Sequence, residues 1–233
     1  MFSLKVEEII RHSETISTIF FSGKLRSYPG QFIMLNVFGR EEIPLSLSSP
    51  KSVTVKAVGE TTEALVSIPT GTLVGIRGPF GRPFSPTNKR ALFVAGGIGI
   101  APLVYLNDFL TACGAEVRLL YGAKSSHDLV WTDRFDDVSI STEDGSEGVK
   151  GTVLDLLVDE DLRIYDRIYV CGPEAMLRKV LEIVRKEGLE KRTEFSVERM
   201  MKCGIGVCGS CVLEDGLRVC AEGPVFRGDE LPW

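Results

Sequence analysis

The hydrophobic and polar positions of the chain follow two different patterns. Up to about Pro86, short apolar runs alternate with closely spaced turn residues, and these runs predict β-strands at residues 18–21, 32–37, 53–57 and 73–77. Short strands at this spacing are typical of an antiparallel barrel or sandwich. We therefore predict that the first part of the chain is an all-β unit.

A second pattern begins at Ala91. Helical stretches at residues 103–112 and 175–186 alternate with apolar strands whose sequences are ALFVA, VRLLYG and RIYVC. This alternation indicates a parallel sheet with crossover helices. The weakly polar run 91–106 has the length of a short membrane span, but three glycines and a proline interrupt it, so we interpret it as a buried strand, a turn and a helix.

Turn-forming residues divide the chain further. The sequence Ser-Pro-Thr-Asn at residues 85–88 separates the two patterns, and Gly188 has the character of a glycine that ends a helix. We predict three segments: a β-barrel domain over 1–87, an α/β domain over 88–190 and a small cysteine-rich segment over 191–233.

Composition and charge narrow the class of protein. The 233 residues are 44% hydrophobic and 25% charged, which is enough apolar material for a globular core. The net charge of −5, with Lys and Arg scattered along the chain, does not fit a nucleic-acid-binding surface. The N-terminal sequence MFSLKVEEII carries charges before any apolar stretch of signal-peptide length. We predict a cytoplasmic protein without a membrane segment.

Four of the six cysteines lie close together near the C-terminus. They have the spacing C-x4-C-x2-C-x8-C, which is that of a plant-type [2Fe–2S] site with a short last gap, and they are Cys203, Cys208, Cys211 and Cys220. Thiolates favour soft metals, and a reducing compartment disfavours disulfides. A structural zinc site is the alternative, but zinc ribbons usually carry two close cysteine pairs, and only one is present.

Glycines and a remaining cysteine complete this prediction. Gly204, Gly206 and Gly209 fit a loop that wraps inorganic sulfide, because such a loop needs positive φ and inward-pointing N–H groups. Cys113 follows a helix that we interpret as amphipathic, and we predict that it is a small packing residue.

A glycine turn follows the first strand of the second pattern. Gly96, Gly97 and Gly99 precede Pro102, so a pyrophosphate can approach the N-terminus of the next helix. The turn is not the usual G-x-G-x-x-G sequence, and Lys124 stands where a ribose-binding acid is expected. A purely structural turn remains the alternative. Lys124 and the serines after it fit either a 2′-phosphate site or a solvated loop.

A second strand-to-helix turn contains Cys171, Gly172 and Pro173. Ligands of open α/β folds bind at this edge of the sheet, so the two turns are predicted to enclose one dinucleotide, NAD(H). Cys171 either contacts the nicotinamide or is simply buried at the end of its strand.

A flavin is the expected link between these two sites. A nicotinamide gives up two electrons as hydride, whereas a [2Fe–2S] cluster accepts one electron at a time, and flavin connects the two kinds of chemistry. We predict that the barrel holds it. The candidate turns for the ring and the phosphates are residues 44–48, 59–62 and 78–81, including Gly78 and Gly81.

Together these segments resemble the ferredoxin–NADP reductase superfamily, and more closely the electron-transfer subunits of NAD-dependent (type B) dihydroorotate dehydrogenases. The resemblance spans the chain and rests on the stretches PLSLSS, GPFG, AGGIGIAPL, YGAKSSHDL, VCGPEAM, MMKCGIGVCGSC and VCAEGPVF. It implies FAD, NAD(H) and a [2Fe–2S] cluster as cofactors. It also implies that Pro44, Leu45 and Ser46 contact the flavin ring, and that Gly59 and Thr62 contact its ribityl or phosphate part.

The function implied by the resemblance is electron transfer in pyrimidine (UMP) synthesis. Electrons would pass from an FMN-containing catalytic subunit, in a complex of two copies of each subunit, through the cluster and FAD to NAD⁺. One alternative is the small subunit of another NAD(P)H-dependent complex linked to ferredoxin or hydrogenase. Another is a redox-sensing or assembly module without tight flavin binding, because Ile43, Thr61 and Pro83 stand where the family has other residues. Ile43 stands in place of an arginine, and Arg40 and Arg82 are the candidates to supply the missing charge.

Overall fold

The computed structural model describes residues 2–233, and the first of its sheets is a closed six-stranded antiparallel barrel. The strand order is β1-β2-β5-β4-β3-β6, and pairing of β6 with β1 closes the barrel. The strands are β1 Phe2–Arg11, β2 Ile16–Phe21, β3 Phe32–Val37, β4 Ile43–Ser49, β5 Ser52–Lys56 and β6 Leu73–Phe80. The prediction of an antiparallel barrel is confirmed.

The barrel is filled by the side chains that alternate inward along its strands. Ile33, Leu35 and Ile76 are fully buried in this core, which gives each strand one apolar inner face. A short helix, α1 (Glu60–Val66), packs on the barrel through the buried Leu65. Strands β1 and β4 and helix α1 were not predicted, although apolar and other residues alternate over residues 2–7 and 43–48 in the manner of a strand.

Two of the three candidate turns in the barrel are in fact strands. Residues 44–48 lie within β4, and residues 78–80 lie in the last part of β6. The third, residues 59–62, is the start of α1, where Gly59 and Val58 donate backbone N–H bonds to Thr62 Oγ1 at 2.9 Å. The prediction that these stretches are turns was wrong for the first two, because neighbouring strands supply the pairing that the local sequence does not reveal.

The second sheet has seven strands in the order β10-β9-β8-β7-β11-β12-β13, all parallel except β13. Three helices connect its strands: α2 Ile100–Ala112, α3 Val153–Leu157 and α4 Glu174–Lys186. The strands are β7 Arg90–Gly96, β8 Glu116–Ala123, β9 Asp137–Thr142, β10 Val149–Lys150, β11 Arg167–Cys171, β12 Thr193–Ser196 and β13 Val225–Arg227. This confirms the prediction of a parallel sheet with crossover helices.

Helix α2 lies between the sheet and the barrel. Leu103 belongs to the core against the sheet, whereas Tyr105 belongs to the barrel core and bonds to the Ser27 carbonyl at 2.8 Å. The helix is therefore buried on both sides, and the interpretation of it as amphipathic was wrong. Cys113, just after its end, is exposed, so it is not the packing residue that we predicted.

The proposed third segment, 191–233, is attached to the sheet at both ends. It begins with β12 and ends after β13, and the cysteines lie in the irregular chain between these two strands. The division into 1–87, 88–190 and 191–233 stays a prediction. Among the described residues, no helix has the length and apolar character needed to cross a membrane.

Candidate functional site

Two neighbouring cavities lie between the barrel and the second sheet. The first, which we call the barrel cavity, has a volume of about 340 Å³, and the second, which we call the turn cavity, has about 600 Å³. Both cavities are lined by the same four residues at their junction: Lys56, Val58, Ile98 and Glu198. Because the walls are shared, ligands in the two cavities would lie next to each other.

The barrel cavity contains most of the residues predicted to hold a flavin. Pro44, Leu45, Ser46 and Thr62 line it. They come from β4 and α1, and the second sheet supplies the opposite wall through the start of α2 and the chain after β12. A flat apolar ring fits between these two walls, whose exposed surface is mostly apolar.

Three glycines predicted near the flavin do not line this cavity. Gly59 caps α1 beside it. A Cβ atom on Gly81 would lie 2.4 Å from Pro224 Cδ, and one on Gly78 would lie 3.2 Å from the Phe32 carbonyl oxygen. Gly81 therefore allows the barrel to pack closely on the C-terminal segment. Contact of these three glycines with a cofactor stays a prediction.

The arginines suggested as substitutes for the missing family arginine are paired elsewhere. Arg40 forms an ion pair with Glu60 at the start of α1, and Arg82 forms a two-pronged pair with Glu230. Arg199, which the sequence analysis missed, does line the barrel cavity and bonds to Glu174 at the start of α4. The structure therefore offers Arg199 as the guanidinium at the cavity wall.

The turn cavity is lined by both glycine-containing turns. Gly96, Gly97 and Gly99 come from the first turn, and Gly172 and Pro173 come from the second. A Cβ atom on Gly99 would lie 2.5 Å from the Cys171 carbonyl oxygen, so the absence of a side chain lets the two turns touch. The starts of α2 and α4 open into the same cavity, where their N–H groups suit a pyrophosphate.

Cys171 lies behind the cavity wall. Its side chain is buried, it does not line either cavity, and burial raises the pKa of its thiol to about 12. The geometry favours the interpretation of Cys171 as a buried residue at the end of β11.

The far end of the turn cavity carries charges of both signs. Lys124 follows β8, and Glu143 follows the neighbouring strand β9, and both line the cavity. An acid was expected only on or next to the second strand, so Glu143 was missed. A carboxylate at this edge can accept hydrogen bonds from a ribose.

The junction between the cavities carries two further charged groups. Lys56 on β5 pairs with Asp128 at 2.5 Å, which links the barrel to the second sheet. The carboxyl of Glu198 has no hydrogen-bond or ion-pair partner within residues 2–233; the residue is exposed to solvent, and the protein packed around the carboxyl still raises its pKa by desolvation. The weak local pattern around both residues gave no signal in the sequence.

The four clustered cysteines share one loop. Gly204, Gly206 and Gly209 have φ values of 71°, 80° and 73°, as predicted for a loop with inward N–H groups. Gly206 donates its N–H to Cys220 Sγ at 3.1 Å, and Cys220 donates its own to Cys211 Sγ at 3.4 Å. The bond from Gly206 favours the thiolate of Cys220, but burial outweighs it and raises the pKa of this thiol.

The thiols of this loop lie in two pairs that fit a two-iron cluster. Cys203 is a hydrogen-bond neighbour of Cys208, and Cys211 is one of Cys220. Backbone N–H groups, first that of Ile205, lower the pKa of Cys203 to about 6. Among residues 2–233, no three Cys, His, Asp or Glu side chains converge on one metal-ion position, whereas a cluster held by four thiolates needs only two at each iron.

Comparison with known proteins decides the family. A protein of Archaeoglobus fulgidus described as a probable dihydroorotate dehydrogenase B (NAD(+)), electron transfer subunit, is 55% identical over 233 residues, 100% of both chains. One of Methanocella arvoryzae with the same description is 40% identical, covering 98% of this chain and 91% of its own. The chain belongs to this family.

Two parts of this electron-transfer subunit also match family descriptions. Residues 198–232 match the iron–sulfur cluster binding domain of dihydroorotate dehydrogenase B, and residues 93–182 match the oxidoreductase NAD-binding domain. The first range includes all four clustered cysteines, and the second includes both glycine turns. The expected iron–sulfur and NAD-binding parts are confirmed, and the zinc alternative has no support.

Solved structures confirm the fold. The NADH-dependent reduced ferredoxin-NADP oxidoreductase structure is 28% identical with a TM-score of 0.88, covering 100% of this chain and 91% of that one. Ferredoxin-NADP⁺ reductase from Plasmodium falciparum, in its H286L mutant, is 15% identical with a TM-score of 0.69, covering 84% of this chain and 95% of that one. The resemblance to ferredoxin–NADP reductases is confirmed at the level of architecture.

Proposed function

We propose that the chain passes electrons between a dihydroorotate-oxidising catalytic subunit and NAD⁺, with FAD in the barrel cavity, NAD(H) in the turn cavity and a [2Fe–2S] cluster on Cys203, Cys208, Cys211 and Cys220. The adjoining cavities support this proposal, because a flavin ring bound in one and a nicotinamide bound in the other would share one wall. FAD, when bound, connects the two-electron exchange with NAD(H) to the one-electron exchange with the cluster.

Each part of the chain has a separate task in this proposal. Pro44, Leu45 and Ser46 hold the flavin ring on β4, and the two glycine turns hold the NAD pyrophosphate at the starts of α2 and α4. At the junction, Val58 and Ile98 provide apolar surface that excludes water from the reacting rings. The paired thiolates of the loop bind the two irons.

The surface around the cysteine loop fits a protein partner. Four large apolar side chains are unusually exposed there: Met200, Ile205, Val207 and Val212, with 75%, 55%, 76% and 41% exposure. Cys208 is itself exposed beside them. An exposed apolar patch next to a redox centre is suited to docking the FMN-containing catalytic subunit, in a complex of two copies of each chain. We place this complex in the cytoplasm.

Co-expression with the catalytic subunit tests the proposal. We expect the purified complex to contain one FAD and one [2Fe–2S] cluster per copy of this chain, with FMN only on the partner. It should reduce NAD⁺ when given dihydroorotate. A colourless protein with bound zinc, or a partner that carries no FMN and does not oxidise dihydroorotate, would contradict the proposal.

A second candidate function is electron transfer in a ferredoxin-linked complex. The full-length likeness to the NADH-dependent reduced ferredoxin-NADP oxidoreductase structure favours it. Replacing dihydroorotate with reduced ferredoxin in the same assay separates the two functions, because only the ferredoxin-linked complex would then reduce NAD⁺.

A further inference from the structure

The cysteine loop is bonded to the barrel through one arginine. Arg77, on β6, donates from Nη1 to the carbonyl oxygen of Cys203 at 3.0 Å. The same guanidinium donates from Nε and Nη2 to the carboxylate of Glu42 at 2.9 and 2.5 Å. A planar guanidinium with five fixed donors can hold both partners at once, which an ammonium group cannot.

Glu42 connects this bond to the barrel cavity. It immediately precedes β4, the strand that presents Pro44, Leu45 and Ser46 to the cavity. Arg77 and Pro44 also lie opposite the same residue of β3, Met34, one on each side. The predicted flavin strand and the first cluster ligand are thus two hydrogen bonds apart.

A nonpolar contact supports the same approach of loop and barrel. Met34 points out of the barrel, since its neighbours Ile33 and Leu35 belong to the barrel core and it belongs to the core shared with the C-terminal segment. A Cβ atom on Gly204 would lie 2.8 Å from Met34 Cγ, so the backbone of the loop rests directly on this side chain. The position of the loop against β3 therefore depends on a close fit.

Another arginine shows what Arg77 does differently. Arg218 donates to the carbonyl oxygen of Gly206 at 2.8 Å and pairs with Glu222, four residues further along. It has the same chemistry as Arg77, but both of its partners lie within the cysteine segment. Arg218 therefore stabilises the loop internally, whereas Arg77 attaches the loop to the barrel.

The side chains of the Arg77–Glu42 pair are 25% and 19% exposed, and the guanidinium holds the carboxylate with two donors. Such a pair contributes on the order of 1 kcal/mol to stability. On the basis of the proposed function, we propose that Arg77 is a positioning residue that holds the cluster at a set distance from the flavin by tying Cys203 to the start of β4.

Two substitutions separate position from charge. Arg77→Gln removes a positive charge near the cluster and should lower its reduction potential, whereas Glu42→Gln removes a negative charge and should raise it. Arg77→Gln removes the guanidinium that makes the tie between Cys203 and β4, and Glu42→Gln weakens this tie by removing the charge and one of the two carboxylate acceptors. If only charge mattered, the first would slow electron transfer from FAD to the cluster and the second would accelerate it. The positioning role predicts that both slow it.

The experiment uses the complete flavin- and cluster-containing protein. The protein is mixed with NADH in a stopped-flow instrument, and the reduction of FAD and that of the cluster are followed separately. The reduction potential of the cluster is measured by an EPR-monitored titration. We expect Arg77→Gln and Glu42→Gln to slow the FAD-to-cluster step roughly 10–100-fold, with potentials shifted in opposite directions. NADH oxidation by FAD should stay unchanged. Arg77→Lys should keep the potential and recover part of the rate, because it keeps the charge without the planar fork.

Arg82→Gln is the matched control, because Arg82 pairs with Glu230 across the same barrel and C-terminal segment without touching the cysteine loop. We expect its FAD-to-cluster rate to equal that of the unmodified protein. A Glu42→Gln variant that keeps or raises this rate would overturn the positioning role, as would equal slowing in Arg82→Gln. If the Arg77→Gln variant does not bind the cluster, the FAD-to-cluster rate of the Glu42→Gln variant alone tests the positioning role. An unmodified protein that binds neither FAD nor a cluster would overturn the proposed function, and this inference with it.

Discussion

Two glycine-rich segments of this chain use glycine for different physical reasons. In the nucleotide turn, Gly96 and Gly99 have ordinary backbone angles, but a Cβ atom would lie 2.7 Å from Met176 Sδ in the first case and 2.5 Å from the Cys171 carbonyl in the second. In the cysteine loop, Gly209 has φ of 73° and a Cβ atom would meet nothing within 4 Å. Gly96 and Gly99 therefore allow two segments of the chain to approach each other closely, whereas Gly209 allows a left-handed backbone.

The difference matters for what each segment can bind. Close approach in the turn brings two helix starts to one cavity, which suits an anion. The left-handed backbone in the loop turns N–H groups toward the sulfur atoms. Such hydrogen bonds help to set the reduction potential of a cluster bound by these sulfurs. The same residue type therefore supports two unlike sites, and substitutions should affect them differently.

The largest expected effect comes from breaking the loop alone. Cys208→Ser removes one iron ligand from an exposed position, so we expect loss of the [2Fe–2S] signal in visible absorption and EPR, with NADH binding kept. Cys113→Ser is the control, because Cys113 is also exposed but is distant from the loop in sequence. This variant should keep the full cluster signal. A Cys208→Ser protein with an unchanged spectrum would exclude this ligand set.

Two loop glycines distinguish crowding from backbone conformation. A Cβ atom on Gly206 would lie 2.9 Å from that of Ala221, and the Gly206 N–H bonds to Cys220 Sγ. We expect Gly206→Ala to lose most of the cluster. Gly209→Ala should keep it, at a cost of about 1–2 kcal/mol for the left-handed backbone. Iron content and the free energy of unfolding measure both, and equal cluster loss in the two variants would contradict the distinction.

The nucleotide turn should show the complementary behaviour. Gly99→Ala forces the two turns apart and should destabilise the protein toward the upper end of about 1–3 kcal/mol. Gly97 has φ of 52° and open space beside it, within the turn cavity, so Gly97→Ala should be milder in stability but should weaken NADH binding. Denaturant unfolding and NADH titration separate the two effects. Equal stabilities would show that the turns are not in tight contact.

The smallest expected effect concerns the two cysteines outside the loop. Burial raises the pKa of Cys171 to about 12, so its thiol should stay protonated and unlabelled by iodoacetamide between about pH 7 and pH 9. In the cluster-containing protein, only the exposed Cys113 should react. Mass spectrometry counts the labels, and labelling of Cys171 that rises over this pH range would place its thiol in the cavity instead.

The site was only partly predictable from local sequence. Cysteine spacing alone located the loop, and the glycine turns located the nucleotide cavity, because both signals lie within a few consecutive residues. Lys56, Glu198 and Arg77 were missed, since each acquires its role only when the barrel meets the second sheet or the loop. Contacts between residues distant in sequence leave no periodic signal.

The sequence by itself determined the barrel-then-parallel-sheet order, the glycine that follows α4 and the positive φ of the loop glycines, because hydrophobic period and glycine placement act locally. Only the tertiary structure decided that residues 44–48 form a strand at a cavity wall, that Gly81 packs against Pro224, and that β12 and β13 attach the loop to the sheet. Strand pairing and close packing depend on residues that are distant in sequence. They are therefore stabilised only when the whole chain has folded.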